Sequence, residues 1–513
     1  MTKEVQRETI RAIAQRAKMM GGRAMLVGGC VRDALLGRDS ADIDCEVYGL
    51  APEALHALAA QFGEVDESGA RFGVFTLRDA GIDLAVPRRE RRIGPKHGDF
   101  DVTPDPTLSF EQAAARRDFT VNAMMRDALT DEIVDPFGGE ADLRRGVLRA
   151  VPSAGFCDDP LRVLRGAQFA ARFGLAPDEV TLEKMRAMQT DGLSPARVLG
   201  EMKKAMESGA PNVFFDVLRQ AGALELWFGE LAALIDVPQP PRYHPEGDAY
   251  VHSMLVLRAA AQKKEQAQKP DAFVYAALTH DLGKAVSTTR GEDGEWHTYG
   301  HENTGVPLTR AMLGRLGVPK ETIAYCENMC RLHMRAHVCH YGQVEAGRTN
   351  LLFDESVCPH DLALLAACDT MGKGTADGDA PNEEAFLLGR VKTYEETVAR
   401  GMPSGDMLLI GGMKPGPEMA KALGEARRRT LLGEDAKEAV KAVLKQKNLN
   451  KINVSRSDTQ EESPETSGFR QGLGQRPKRS PKEQYDRYQR NFQYLRGCRN
   501  GSLCRVRRDG RRG

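Results

Sequence analysis

No stretch of this 513-residue chain approaches 18 uninterrupted apolar residues, so it offers no candidate for a membrane-spanning helix. Its opening, MTKEVQRETIRAIAQRAK, is polar and amphipathic and lacks the apolar core of a signal peptide. The ten cysteines are scattered, with CENMC (326–330) the one close pair. Zinc-ribbon spacing and a disulfide framework are both missing, which points to a reducing cytoplasm. There is no fixed-period repeat and no net charge. That zero conceals a division: residues 451–513 hold 16 Lys and Arg against 7 Asp and Glu, leaving 56 against 65 for the first 450. Overall neutrality therefore says little about partners, and local patches must decide. Nothing in the sequence fixes an oligomeric state.

What is present, at 41% apolar and 28% charged residues, suits a multidomain globular protein. Short apolar strands (AMLVGG, IDCEVYG, GVFTL, IDLAV) alternate with helical stretches such as APEALHALAAQF, giving an α/β head over 1–145. Three- and four-residue apolar steps in LRVLRGAQFAARF and VLGEMKKAM predict an all-α neck and body over 146–235. A second all-α block covers 236–400, with turn-rich loops at VPQPPRYHPEGD and STTRGEDGEWH, followed by a helical segment over 401–449. From 450 to 513 the composition shifts to Ser, Arg, Gln and Gly and reads as a basic disordered tail.

The chemistry concentrates first in LVGGCVRDALLGRDSADIDCEVYG (26–49). Residues two apart in a strand share a face, so Asp42 and Asp44 project together while Ile43 and Cys45 face the other way. Two adjacent carboxylates repel unless a cation lies between them. Mg²⁺ is suited to that place because it completes its shell with substrate phosphates. Gly28 and Gly29, without Cβ atoms, let backbone N–H groups approach a triphosphate closely. The helix behind them turns its N-terminus to the anion, and Arg32 can fork onto a phosphate. Paired metals clamping the attacking and leaving oxygens are a common solution for such transfers.

GGCVRDALLG with DIDCEVYG, RRDFTVNAM (116–124), DPFGG (135–139) and DPLRVLR (159–165) resemble the bacterial class II tRNA nucleotidyltransferases. These are CCA-adding enzymes of the polymerase-β-like superfamily, a group that includes bacterial poly(A) polymerases. The likeness spans roughly residues 20–235 and keeps the family's motif order. It implies a nucleotidyltransferase head with a mixed sheet, Mg²⁺ on catalytic Asp42 and Asp44, and tRNA, CTP and ATP as partners. It also implies that Gly29, Arg32, Arg117, Arg162 and Arg165 contact the incoming nucleotide. Asp83 in GIDLAV is either a third carboxylate or a solvated strand acid.

Asp159 and Arg162, three apart near a helix start marked by Pro160, can share a face. Cytosine presents an amino donor (N4) beside an acceptor (N3), and adenine does the same through N6 and N1. Uracil and guanine reverse that order. An Asp acceptor beside an Arg donor thus accepts C and A and refuses U and G, the role the resemblance implies. A wrong base would leave buried polar groups unpaired at about 1–3 kcal/mol each. Two departures stand out: Asp158 replaces a frequent Glu, and Gln168 stands where some relatives carry an arginine. RRERRIGPKHGDF (88–100) reads as a basic, glycine-containing loop, associated in this family with addition of the final A.

A second constellation lies in the helical block. His252, the adjacent His280 and Asp281 in LTHDLGKA, and Asp369 in AACDTMGKG form an H…HD…D pattern. Burying Asp281 unpaired would be expensive, so it needs a partner. Neutral imidazoles with carboxylates suit Mg²⁺ or a divalent transition metal with a place left open for water. The pattern resembles the HD phosphohydrolase superfamily, and YHPEGDAYVHSMLVL with GHENTG is similar to CCA-adding enzymes that carry an HD domain. His301 and His333 are candidate ligands for a second metal, and hydrolysis of a phosphate ester or a 2′,3′-cyclic phosphate is the implied chemistry. CENMC and HMRAHVCH read as ordinary helix packing. The tail interleaves Tyr, Phe and Arg as RNA-binding segments do, and reads equally as a disordered extension with no role or as an altered reading frame. The expected activity is template-independent CCA addition or repair. Poly(A) synthesis is the neighbouring alternative, and a phosphohydrolase with an RNA-binding head is the rival from another class.

Overall fold

In the computed structural model, residues 3–40, 42–92, 100–373 and 379–457 are described. The chain divides into two compact units between Gly229 and Glu230. The first opens with α1 (Lys3–Met19), β1 (Arg23–Val27), α2 (Gly29–Leu35), β2 (Ile43–Tyr48) and α3 (Pro52–Ala59). It continues with β3 (Val65–Asp66), β4 (Val74–Leu77), β5 (Ile82–Ala85), β6 (Arg88–Arg92), β7 (Phe100–Pro104) and α4 (Phe110–Ala114). After β8 (Met125–Asp127), β9 (Ile133–Val134) and α5 (Gly139–Arg145) comes α6 (Leu161–Phe173). The helices α7 (Glu179–Arg186), α8 (Pro195–Met206) and α9 (Asn212–Gln220) lead to α10 (Leu224–Ala232), which kinks at Phe228.

Seven strands form one mixed sheet in the order β3-β4-β5-β2-β1-β8-β9. Only β2 and β5 run parallel, with Asp44 opposite Asp83; the other pairs are antiparallel. Alternation along β2 sorts its side chains. Cys45 and Val47 pack with Ile10, Ile13, Leu55, Leu58 and Leu84 on the face covered by α1 and α3. Tyr48 packs with Met25, Val27, Met125, Ala113 and Ala114 on the other. Each fully buried Leu or Ile contributes about 1.5–3 kcal/mol. That core holds the sheet rigid enough to carry a carboxylate at the start of its central strand, β2. The fold class expected for the head is what is observed. The expected 88–100 loop is corrected in part: Arg88–Arg92 is a strand paired with Phe100–Pro104, and 93–99 lies outside the described residues. With five charged residues and no apolar alternation, RRERR hid the strand.

The second unit is almost wholly helical. It comprises α11 (Ala249–Lys263), α12 (Pro270–Thr279), α13 (Lys284–Ser287), α14 (His301–Leu316), α15 (Lys320–Tyr341), α16 (Ala346–Glu355) and α17 (Pro359–Gly372). These are followed by α18 (Asp379–Ala399), α19 (Gly405–Ile410), α20 (Pro417–Leu431) and α21 (Ala436–Ser457). Its α11 packs on α12 and α17, and α15 packs on α12, α14 and α17, so these five helices form one packed group. STTRGEDGEWH, expected as a loop, contains a small hairpin pairing Thr289–Arg290 with Trp296–His297. The last helix continues seven residues past Asn450, where the tail was expected to begin; 458–513 lies outside the described residues. No helix among the described residues is long and apolar enough to cross a membrane.

Candidate functional sites

The first site forms where β1 ends. Gly28 adopts φ +73° to turn the chain into α2, a conformation that strains residues with side chains. A Cβ there would stand 2.8 Å from Arg117 Nη1 and 3.8 Å from Asp44 Oδ2, so the glycine keeps a recess open between an acid and a base. Asp42 is exposed just before β2, and Asp44 is exposed within it. Asp44's carboxyl is nonetheless held above the usual carboxylate range, by desolvation first and by Asp83, Asp42 and Glu46 next, against the pull of Arg117. Asp83 is half-buried and accepts a 2.5 Å hydrogen bond from Thr76 Oγ1. Among the described residues, no three acids or histidines of the head bring ligand atoms within 4.8 Å of one another. Two carboxylates with room for phosphate oxygens is the donor set that Mg²⁺ accepts.

The arginines divide by position. Arg117 lies beside the Gly28 recess and donates through Nη2 to Glu46 Oε1 at 3.0 Å. Arg32 is 5% exposed, bonded to Asn122 and Asp33, with its guanidinium 4.0 Å from the centre of the Phe173 ring, and its Nη2 stands 3.5 Å from the place a Gly29 Cβ would occupy. It thus lies beside the glycine pair, held there by burial and a cation–π stack. Arg165 donates to Asp118 Oδ2 at 2.7 Å, and Asp118 Oδ1 accepts from Asn122, so RRDFTVNAM and α6 share one buried network. Arg162 donates to the carbonyls of Gly155 (2.9 Å) and Arg116 (2.7 Å).

Asp159 precedes the helix cap, which is Pro160, and accepts from Leu161 N at 3.0 Å. Its other oxygen lies 3.4 Å from Arg197 Nη2, a residue the motif reading missed because it comes from α8. Burial raises Asp159's carboxyl, while Leu161 N–H, Arg162 and Arg165 oppose the rise. Gln168 is 1% exposed on α6, and its Nε2 has no hydrogen-bond partner. It is a core residue there.

The second site assembles all four members of the H…HD…D pattern. His252 Nε2 lies 2.9 Å from Asp369 Oδ1 and 3.5 Å from Asp281 Oδ2; His280 Nε2 lies 3.2 Å from Asp281 Oδ2. His301 and His333 join them, their Nε2 atoms 3.2 and 3.6 Å from Asp281 Oδ1. Each ring is oriented from behind. Nδ1 of His280, His301 and His333 is tied to the carbonyl of the residue three before it, at 2.9, 2.7 and 2.7 Å. His252 Nδ1 lies 2.7 Å from Glu246 Oε1. Fixing Nδ1–H in this way presents Nε2 as a neutral ligand atom. Two buried sets bring their ligand atoms within 4.8 Å: His252, His280 and Asp369, and Asp281, His301 and His333. Burial pushes His333 down to about 4, against the pull of Asp281. Asp281 is held well below the carboxylate range, burial being outweighed by His280 and Lys284.

Three partners escaped sequence reading. Lys284 Nζ lies 2.6 Å from Asp281 Oδ2, yet neither Asp281 oxygen, nor His280 Nε2, has a hydrogen bond of good geometry. Buried polar atoms left in that state fit a missing cation. His337 bridges Asp369 (2.6 Å) and Glu383 (2.8 Å); those two carboxylates overcome burial and raise its imidazole. The helix-packing reading of HMRAHVCH is thus corrected for His333 and His337, which are four apart and share a face of α15. It holds for buried Cys326 and Cys330.

Residues 24–149 match the family described as "Poly A polymerase head domain", and 174–235 match "Probable RNA and SrmB- binding site of polymerase A". A "Multifunctional CCA protein" of Nitrosococcus oceani is 42% identical over 61% of this chain and 74% of its own. Another of that name, from Xanthomonas campestris pv. campestris, is 40% identical over 78% of this chain and 96% of its own. The fold is similar to that of the Thermotoga maritima CCA-adding enzyme complexed with tRNA_CCA, with a TM-score of 0.56 and 19% identity. That likeness covers 85% of this chain and 94% of the other.

Proposed function

The chain belongs to the multifunctional CCA proteins, and on that premise we propose how its two sites divide the work. It is a tRNA nucleotidyltransferase that adds or repairs the 3′-terminal CCA, with tRNA, CTP and ATP as partners and a divalent metal as cofactor. We assign that metal as Mg²⁺, held by Asp42 and Asp44. When bound, it supplies activation of the tRNA 3′-hydroxyl and neutralises charge on the departing pyrophosphate. The chain's own groups do the rest. Gly28 and Gly29 admit the triphosphate to the backbone, and Arg117 meets it from the opposite wall of the recess. Asp159 and Arg162 read the pairing edge of the base, with Arg165 and Asp118 fixing the helix that carries them. Arg32 supports this wall from within. The single observation carrying the assignment is the open recess between Gly28, Arg117 and Asp44.

The second site, in a domain spanning 236–400, is an HD phosphohydrolase centre that uses His252, His280, Asp281 and Asp369, with His301 and His333 as further ligands. Its imidazole-rich donor set favours a transition metal over Mg²⁺. The substrate class is a phosphate ester or a 2′,3′-cyclic phosphate at an RNA end. The eight described cysteines are all free thiols, which supports a cytoplasmic setting. The test of the assignment is direct. With Mg²⁺ and tRNA lacking CCA, CTP alone should give two additions, CTP with ATP should give CCA and stop, and Asp44→Asn should give none. A long A tract would replace this reading with a poly(A) polymerase.

A further inference from the structure

Glu46 lies two residues past Asp44 on the same face of β2, is 2% exposed, and takes no part in the reaction outlined above. Its environment is nonetheless built. Oε1 accepts from Arg116 Nη2 at 2.6 Å and from Arg117 Nη2 at 3.0 Å, while Oε2 accepts from the Tyr48 hydroxyl at 2.9 Å. Arg116 reaches on to Glu90 Oε1 at 3.1 Å, and its carbonyl receives Arg162 Nη2. Nε of Arg117, like that of Arg116, is buried without a hydrogen bond, and Arg117 Nη1 stands 2.8 Å from the place a Gly28 Cβ would occupy. Among the described residues, Glu46 is thus the carboxylate bonded to the guanidinium that borders the recess.

The arrangement has a directional consequence. A cation beside two or three acids is drawn towards them, and an Arg117 free to swing would neutralise Asp44 in place of a metal. The buried, charge-assisted bond to Glu46 competes with that attraction and leaves Nη1 turned to the turn at Gly28. With Arg88 also on Glu90 at 2.8 Å, three arginines share two acids and leave a surplus positive charge for an anion. We infer that Glu46 is the positioning residue of the nucleotide site: it holds Arg117 at the triphosphate recess and off Asp44. Through the 116–117 dipeptide it also fastens Arg162. The inference rests on the reading of Arg117 as a triphosphate contact.

Steady-state kinetics on tRNA lacking CCA (CTP varied) and tRNA ending in CC (ATP varied) separate the two ideas. Glu46→Gln should raise KM for both nucleotides about tenfold with kcat changed less than about threefold, since the triphosphate is common to both. Arg117→Ala should raise KM similarly, and adding Glu46→Gln to it should raise KM no further. Glu46→Asp, which keeps the charge inside the sheet but retracts it by a methylene, provides the folded variant should Glu46→Gln not fold. Its KM should rise about threefold with an unchanged thermal midpoint. If Arg117→Ala raises KM while Glu46→Gln and Glu46→Asp leave it unchanged, the inference is overturned. Effects that multiply in the double variant overturn it equally. If Arg117→Ala itself leaves KM unchanged, the reading of Arg117 fails first.

Discussion

Asp44 of β2 and Asp83 of β5 stand opposite each other in the only parallel pairing of the head sheet. Parallel register points both side chains to one face, so an acid 39 residues downstream joins the DxD pair. Asp44→Asn should abolish nucleotide addition, a loss of at least about 10³-fold in kcat, as expected where a metal ligand is removed. Asp83→Asn, with Asp83 already engaged by Thr76, should lose about 10–100-fold, the scale of a supporting group. Equal losses would make Asp83 a ligand of the same rank.

Gly28→Ala tests the recess itself. It imposes a Cβ at φ +73° and places it against Arg117. Destabilisation of about 1–2 kcal/mol is expected from the backbone alone. A rise in KM for both CTP and ATP should accompany it. A thermal melt together with nucleotide titration separates the two effects.

Asp159→Asn exchanges one acceptor oxygen for a donor amide at the position proposed to read the base. Discrimination against UTP should fall by about 10–100-fold, the equivalent of one buried hydrogen-bond mismatch, while CTP use declines. Competition assays with mixed nucleotides measure the ratio, and an unchanged ratio would remove Asp159 from base selection.

In the helical unit, Asp281→Asn should abolish phosphate-ester hydrolysis and leave CCA addition within about twofold, because the two chemistries use separate residues. Chelation followed by re-addition of single metals, with hydrolysis of a 2′,3′-cyclic nucleotide as the readout, should restore activity with a transition metal. Restoration by Mg²⁺ alone would contradict the imidazole argument.

His337 carries a pH prediction. Asp369 and Glu383, against burial, raise its imidazole to about 9. A folded pKa above the unfolded value gives stability that is complete below about pH 6.5, the unfolded imidazole value, and lost as pH climbs through about 9. The thermal midpoint of metal-free protein should therefore fall between pH 7 and 9.5. His337→Gln should flatten that slope.

Much of this was legible in the residues. LVGGCVRDALLG and DIDCEVYG carry their own geometry, because the period-two alternation and the glycine turn are local. The H…HD…D set was legible because a His-Asp pair buried just past the end of an apolar helix needs an explanation. What stayed hidden was tertiary. Arg197 reaches Asp159 from another helix, and Glu383 reaches His337 across 46 residues. Arg32 was legible beside the glycine pair, but not the Phe173 ring and Asn122, both more than 85 positions away, that hold its guanidinium there. Strand β6 was missed because RRERR offers no apolar alternation.

The central claim is best tested by crystals of the protein with CTP and Mn²⁺ in place of Mg²⁺, measured for anomalous scattering. A Mn²⁺ peak coordinated by Asp42, Asp44 and triphosphate oxygens, with Arg117 on the phosphate side of Gly28, is the predicted result. CTP bound elsewhere, or a triphosphate in the recess with no metal on either aspartate, would contradict the account.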